Sequence, residues 1–368
     1  MIDEKILKNE EKAIFSLRSL YKKYGYLPYK MSKFEEYELY IRNKDFLVSD
    51  RIITFNDTNG KLMALKPDVT LSIIKNGEDV SGYKQKVYYN ENVYRVSEST
   101  KHYKEIMQTG LECIGEIDLY DVFETITLAV RSLEIIGEKF VLEISHLGIL
   151  SAVMSEISNN EIFSKKAIDF ISQKNAHDLK RLCEEYEVED ADYEKLAVFV
   201  KSYGERKQVL EELKDVCSGA AKQSYDEFCE ISKMIDECEY SDNIIFDFSV
   251  VNNMNYYNSI AFKGFIDGIC DGVIAGGRYD KLMRKMGRKS GAVGFAVYTD
   301  LLEQLQNKKS EYDVDVVLIY NEKDDKIKLK NEVEKYIENG KTVSVQKSVT
   351  SNLRGREIVY FGKENKDA

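Results

Sequence analysis

Gly276-Gly277-Arg278-Tyr279-Asp280, followed by Ala292-Val293-Gly294-Phe295-Ala296, is the stretch on which the reading of this chain turns. Paired glycines ahead of an arginine imply a backbone that comes close to a small ligand, since no Cβ stands in the way. Beyond Phe295 the chain runs Ala296-Val297-Tyr298-Thr299-Asp300-Leu301-Leu302, with no basic residue where a nucleoside triphosphate would need one. A pocket is kept while half of the chemistry that would use ATP is gone.

Working outward, residues 244–250 and 257–265 read as strands, and 278–287 as a helix ending at Gly287. Residues 292–297 read as a buried strand feeding a terminal helix. Upstream, residues 3–24 carry Ile6, Leu7, Ile14, Leu17, Leu20 and Tyr21 at helical spacing, stopping at Gly25. A hairpin is expected over 52–66 around Asp57-Thr58-Asn59-Gly60. Asp68 then stands as the N-cap of a short helix that runs to about Lys75. Strands are expected at 87–90 and 106–114 around a polar loop, a helix at 119–137 and a strand at 140–144. Residues 147–240 read as charged helices throughout, a helical insertion. The remainder repeats strand, helix and strand. Hairpin strands flanked by helices give an α+β class with a mostly antiparallel sheet. The expected organisation is a core of residues 1–310, with the insertion at 147–240, and a small α/β domain at 311–368.

Composition narrows the function. Among 368 residues, 43% are apolar and 25 are tyrosines, which fits a folded chain. A net charge of −11 opposes a broad nucleic-acid footprint, and the basic run 281–289 reads as a solvated face. The charged start Met1-Ile2-Asp3-Glu4-Lys5 has no signal-peptide character, and no apolar run is long enough for a membrane helix. Six scattered cysteines without a Cys-x-x-Cys pair fit reduced thiols, hence a cytoplasmic protein. His102, His146 and His177 lie far apart, so no metal site is expected, and His146 reads as a capping or packing residue.

In chain order, these segments resemble the core of histidyl-tRNA synthetase, a class II aminoacyl-tRNA synthetase fold, over about residues 10–308. The resemblance rests on Tyr24-Gly25-Tyr26, Phe55-Asn56-Asp57, Leu65-Lys66-Pro67-Asp68-Val69-Thr70, Tyr94-Arg95, Gln108-Thr109-Gly110-Leu111-Glu112, Tyr256-Tyr257 and the two glycine runs. It implies that Asp68, Thr70, Gln108, Glu112, Tyr256 and Tyr257 hold the ammonium and imidazole of histidine. Arg95 would take the carboxylate, with Gly276, Gly277 and Arg278 beside them. Carboxylates suit an ammonium, and Gln and Tyr suit a ring nitrogen.

The departures are as telling. Asn252 stands where the synthetase has a catalytic arginine, and Leu301 stands at the motif 3 arginine. The motif 2 loop, residues 96–105, lacks the family's Arg-Glu pattern and is a residue short. Leucine replaces neither the five donors nor the charge of a guanidinium, and adenylation develops negative charge at phosphorus. Histidine activation is therefore not expected, and no catalytic residue and no cofactor is assigned. A synthetase-like core of this kind, with Asp68 where the synthetase has Glu, resembles the ATP phosphoribosyltransferase regulatory subunit family. That resemblance implies a hetero-octamer with the short-form catalytic subunit, feedback inhibition by histidine as effector, and no tRNA or membrane. A homodimer is expected through residues 3–28, the motif 1 position.

Other readings stand beside these. A divergent histidyl-tRNA synthetase is the enzymatic rival, and a sensor or ligase in another pathway is a third reading. Gly276-Gly277 is also compatible with a tight turn, and Arg278 with an ion pair to Asp280. Tyr256 and Tyr257 fit plain packing too, and strand alternation would put only one of them in a pocket. Asp68 and Thr70 could merely cap a helix, whereas Gln108 and Glu112, four apart on a strand, share a face.

Overall fold

The computed structural model describes residues 7–47, 51–96, 102–250, 256–305 and 311–362. The chain forms two compact units, Met1–Leu305 and Gln306–Ala368, so the boundary falls five residues before the expected one.

In the first unit, α1 (Asn9–Lys23) is followed by the short β1 (Leu27–Pro28), β2 (Phe34–Glu36) and α2 (Tyr37–Arg42). The hairpin is β3 (Thr54–Asn56) and β4 (Leu62–Leu65), and it leads to α3 (Thr70–Asn76). The long pair β5 (Gln85–Val96) and β6 (Tyr103–Gly115) precedes α4 (Leu119–Ile136) and β7 (Phe140–His146). The insertion holds α5 (Leu147–Ile157), α6 (Glu161–Ser172), α7 (Ala176–Glu185), α8 (Asp190–Lys201), the two-residue β8 (Tyr203–Gly204), α9 (Arg206–Leu213) and α10 (Lys222–Asp236). The chain returns as β9 (Ile244–Asp247), β10 (Ile260–Ile266), β11 (Ile274–Arg278), α11 (Asp280–Lys285) and β12 (Gly291–Tyr298).

These strands make a nine-stranded sheet in the order β1-β5-β6-β12-β11-β10-β7-β9-β8. It is antiparallel from β5 through β7, and parallel only at β1–β5 and β7–β9. Side chains alternate across it with period two. Leu111 and Cys113 of β6, Val293, Phe295 and Val297 of β12, and Leu142 and Ile144 of β7 join the main core with α1 and α4. Tyr21 of α1 and Ser132 of α4 share a hydrogen bond of 3.0 Å beneath the sheet. α4 is capped by Asp118, which accepts from Asp121 N–H at 3.1 Å while Asp121 accepts from Asp118 N–H at 2.9 Å, a reciprocal cap. The opposite residues of the same strands, Glu112, Gly294, Ala296 and Lys263 among them, are left to form the site.

Three expectations need correction. β5 and β6 are much longer than 87–90 and 106–114. The polar residues that hid their extent pair with one another, as where the Tyr94 hydroxyl donates to Glu105 Oε1 at 2.9 Å. β10 starts at Ile260, so Tyr256 and Tyr257 stand in the turn before it and escape strand alternation. After β12 comes a 3-10 turn, Thr299–Gln304, instead of an α-helix.

The second unit is a parallel sheet, β14-β13-β15, with one helix. Its elements are β13 (Val314–Ile319), α12 (Lys326–Glu338), β14 (Val343–Gln346) and β15 (Gly355–Tyr360). Asp325 caps α12 by accepting from Ile327 N–H at 2.9 Å. Val316, Leu318, Leu329 and Val359 form its small core.

Candidate functional site

Two adjoining cavities open on the face of the sheet away from α1 and α4. The first is narrow, about 60 Å3, and Glu112 of β6 lines it. Glu112 is 2% exposed. It accepts a hydrogen bond from Thr70 Oγ1 at 2.7 Å and another from the Tyr279 hydroxyl. No lysine or arginine pairs with it among the described residues. Burial therefore dominates and pushes its carboxyl up to about 8, only partly offset by the two hydroxyls, with Asp68 adding repulsion.

Asp68 borders the same cavity just before α3. Its Oδ1 accepts from Leu71 N–H at 2.9 Å, so it caps the helix from one residue earlier than an ordinary N-cap. Burial also raises its pKa, against the Leu71 N–H and the charge of Arg95. Among the described residues, Arg95 of β5 is held by a 2.8 Å bond from its Nε to the Pro67 carbonyl. Gln108 lines the same cavity, two pleat repeats along β6 from Glu112.

Aromatic hydroxyls complete the walls. Tyr256 and Tyr257 both line the cavity, their rings 4.9 Å apart, and Tyr279 lies 5.5 Å from Tyr256. Burial holds the phenols of Tyr89, Tyr256, Tyr257 and Tyr279 well above their usual range, so they stay neutral donors. Gly294 sits opposite Glu112 in the β6–β12 register. A Cβ there would fall 1.9 Å from Glu112 Oε2, so the buried carboxylate needs glycine beside it.

The structure thus brings Asp68, Thr70, Arg95, Gln108, Glu112, Tyr256 and Tyr257 around one cavity. The other three candidates are placed differently. A Cβ at Gly276 would lie 2.5 Å from Phe262 Cζ and from Phe295 Cβ, and one at Gly277 would lie 2.4 Å from the Ile260 carbonyl. The glycine pair is packed tightly within the sheet, and Gly276 also lines the second, larger cavity. Arg278 Nε binds Asp280 Oδ2 at 2.9 Å, and Asp280 Oδ1 accepts from Ala292 N–H at 3.1 Å. Asn252 lies outside the described residues, as do residues 97–101 of the motif 2 loop. Tyr89, Tyr279, Tyr298, Gly294 and Phe46 line the first cavity without having been assigned to it from sequence. Tyr279 and Gly294 stood inside the quoted runs; the others were hidden among the many tyrosines or carried no signal.

The second cavity is larger, about 780 Å3, and shares Arg95, Tyr257, Ala275 and Tyr298 with the first. Leu301 lines it, together with Glu143, Lys263, Asp271 and Asp300. His146 lies apart from both cavities, at the end of β7. It is 1% exposed, its ring is 5.7 Å from Phe228, and its Nε2 is 3.4 Å from Ser259 Oγ.

Comparison with known proteins places this architecture. The family model for histidyl-tRNA synthetase matches residues 2–302. An ATP phosphoribosyltransferase regulatory subunit from Bacillus cereus (strain AH187) is 26% identical over 360 residues, covering 95% of this chain and 84% of the relative. The crystal structure of an ATP phosphoribosyltransferase regulatory subunit/histidyl-tRNA synthetase from Bacillus halodurans superposes with a TM-score of 0.76 at 23% identity, over 98% of this chain and 96% of its own. A chain of the ATP phosphoribosyl transferase (HisG:HisZ) complex from Thermotoga maritima has a TM-score of 0.62 at 20% identity, over 79% of this chain and 97% of its own. The chain belongs to the histidyl-tRNA synthetase family, and the relatives that match it over most of its length are ATP phosphoribosyltransferase regulatory subunits.

Proposed function

We propose that this chain is a non-catalytic regulatory subunit of ATP phosphoribosyltransferase, in the first step of histidine biosynthesis. It binds histidine in the first cavity and relays that occupancy to a short-form catalytic subunit, which condenses ATP with phosphoribosyl pyrophosphate. The subunit is cytoplasmic, dimerises through its N-terminal core and assembles with its partner as a hetero-octamer.

The contrast between the two cavities carries this reading. The first offers a counterpart to every group of histidine. Asp68 and Glu112 face the ammonium, Arg95 faces the carboxylate, and Gln108 and the tyrosine hydroxyls face the ring nitrogens. The second offers Leu301 where adenylation calls for a guanidinium. When a carboxylate attacks the α-phosphorus of ATP and pyrophosphate leaves, the developing negative charge needs fixed cations, and one such donor is commonly worth about 3–4 kcal/mol. The relatives named above support the same reading through their own roles.

The test is phosphoribosyl-ATP formation by a short-form catalytic subunit, with and without this chain, under titration with histidine. Stimulation that histidine reverses is expected. No stimulation, together with histidine-dependent ATP–pyrophosphate exchange by this chain alone, overturns the reading in favour of a synthetase.

A further inference from the structure

Two of the tyrosines that wall the first cavity have no strand ladder to hold them. Tyr256 and Tyr257 precede β10, in a turn of residues 256–259. Two described backbone bonds fasten that turn. Asn258 N–H donates to the Arg278 carbonyl at 3.0 Å, and the Ser259 carbonyl accepts from Leu147 N–H at 2.7 Å. Leu147 is the first residue of α5, so the second of these fastenings already belongs to the helical insertion.

A further fastening comes from deep within the insertion. Ser259 Oγ donates to Glu227 Oε1 of α10 at 3.2 Å. The hydroxyl has one proton, and it is used on the carboxylate. In the 3.4 Å contact with His146 Nε2 the ring nitrogen is therefore the donor and Ser259 Oγ the acceptor. His146 is then the Nε2–H tautomer, and its Nδ1 is a bare acceptor, buried without a hydrogen-bond partner. An unpaired buried acceptor costs stability, a cost that a phenyl ring filling the same space would avoid. What the imidazole adds is its bond to Ser259. The ring itself is fixed from both sides of the insertion: Phe228 of α10 lies 5.7 Å away, and a Cβ at Gly148 of α5 would fall 2.9 Å from His146 Cε1. The neighbouring imidazole above all, and then the charge of Arg278 and the Ser259 hydroxyl, hold the Glu227 carboxyl below its usual range against its own burial. Glu227 thus stays ionised, the stronger form of acceptor.

We propose that the helical insertion is a positioning element of the first cavity. Glu227 of α10, acting through the Ser259 hydroxyl with His146 as the hydroxyl's second partner, holds the turn that presents Tyr256 and Tyr257. Ser259 stands two residues from Tyr257, so a shift at the insertion reaches the cavity wall without any insertion residue touching the ligand. Glu227 and Ser259 are positioning residues in this scheme. The inference rests on the reading that the first cavity takes histidine.

The experiment measures histidine binding to the whole chain by calorimetry. Glu227→Ala should weaken it about tenfold or more, as for a lost hydrogen bond to a charged group. Glu227→Gln keeps an acceptor oxygen for Ser259 and should recover most of that loss. Ser259→Ala should match Glu227→Ala, and the double variant should be no weaker than either, since both cut one interaction. Phe163→Ala removes a fully buried ring from α6 of the same insertion; it should lower the urea-unfolding free energy and leave the affinity unchanged. Ser259→Ala is read alone if Glu227→Ala does not fold. Unchanged affinity in Glu227→Ala, no recovery in Glu227→Gln, additive losses in the double variant, or an equal loss in Phe163→Ala overturns the proposal. A parent chain that binds no histidine would count against the proposed function, and hydrogen exchange of amides 257–260 then decides this inference on its own. Exchange should be faster in Glu227→Ala and restored in Glu227→Gln, and an unchanged rate in Glu227→Ala overturns the inference.

Discussion

Replacing Glu112 by Gln removes a buried carboxylate whose only described partners are two hydroxyls, those of Thr70 and Tyr279. In the folded chain this carboxyl titrates at about 8, against 4.5 when unperturbed. Between those limits the folded state keeps a proton that the unfolded state has released. Stability therefore falls as pH rises through the window, with a slope approaching about 1.4 kcal/mol per pH unit. From pH 5 to pH 8 the accumulated loss is roughly 3–4 kcal/mol. Gln has nearly the same shape and stays neutral, so it lacks this loss. Near pH 5 the protonated acid and the amide are closely matched. Glu143 and Asp300 are displaced in the same direction, but they titrate in both proteins and cancel in the difference, whereas the repulsion between Asp68 and Glu112 is part of what the substitution removes. Urea unfolding of both proteins at pH 5, 6.5 and 8 measures it. The variant should gain on the parent by about 3–4 kcal/mol across that range. Parallel stability–pH curves would refute the reasoning, because they would mean that Glu112 is ionised and solvated in the folded chain.

Gly294→Ala should lower the urea-unfolding free energy by about 1–3 kcal/mol, since the added methyl falls on Glu112 Oε2 and also 2.4 Å from the Leu111 carbonyl oxygen. Lys66 is fully buried and pairs with Glu91 at 2.5 Å; Lys66→Met should lower the urea-unfolding free energy by about 3–5 kcal/mol, and the further change Glu91→Leu should recover much of it. Phe228 of the insertion stacks on Phe246 of β9 at 3.9 Å, so Phe228→Ala should cost about 3–5 kcal/mol in the same assay. Below pH 8, calorimetry in buffers of different ionisation enthalpy should register proton release when histidine binds the parent chain, and less in Glu112→Gln.

What could be read from the sequence was what periodicity or a turn signature encodes. The alternation in Gln108-Thr109-Gly110-Leu111-Glu112 put both polar ends on one face, and the structure places both at the first cavity. Asp57-Thr58-Asn59-Gly60 marked the hairpin, with Gly60 at a φ of 78°. Tyr256 and Tyr257 misled because the period-two rule was applied to a turn. The absence of Cβ at Gly276 and Gly277 also serves packing, which the sequence could not tell from approach of a ligand: Gly276 abuts the Phe262 ring and Phe295 Cβ, and Gly277 the Tyr257 ring. Of the second cavity only Leu301 carried a signal, as the position of a missing arginine. Glu143, Lys263 and Asp300 come from three separate segments, and only the pairing of β7 with β10, and the place of the 3-10 turn after β12, bring them together.

Under the proposed function, a carboxylate with no described cationic partner also bears on how the subunit would transmit a signal. Glu112 accepts from Thr70, the first residue of α3, and from Tyr279, the residue that precedes α11. An incoming ammonium ionises that carboxyl and competes with both hydroxyls for its lone pairs, so occupancy acts on the starts of two helices at once. Whether that reaches the partner is a matter of differential affinity, and linkage makes the coupling reciprocal. If histidine alters the affinity for the catalytic subunit by some factor, the catalytic subunit must alter the affinity for histidine by the same factor. Glu112→Gln should bring both factors towards one together, whereas a partner effect that survives in this variant would place the coupling elsewhere.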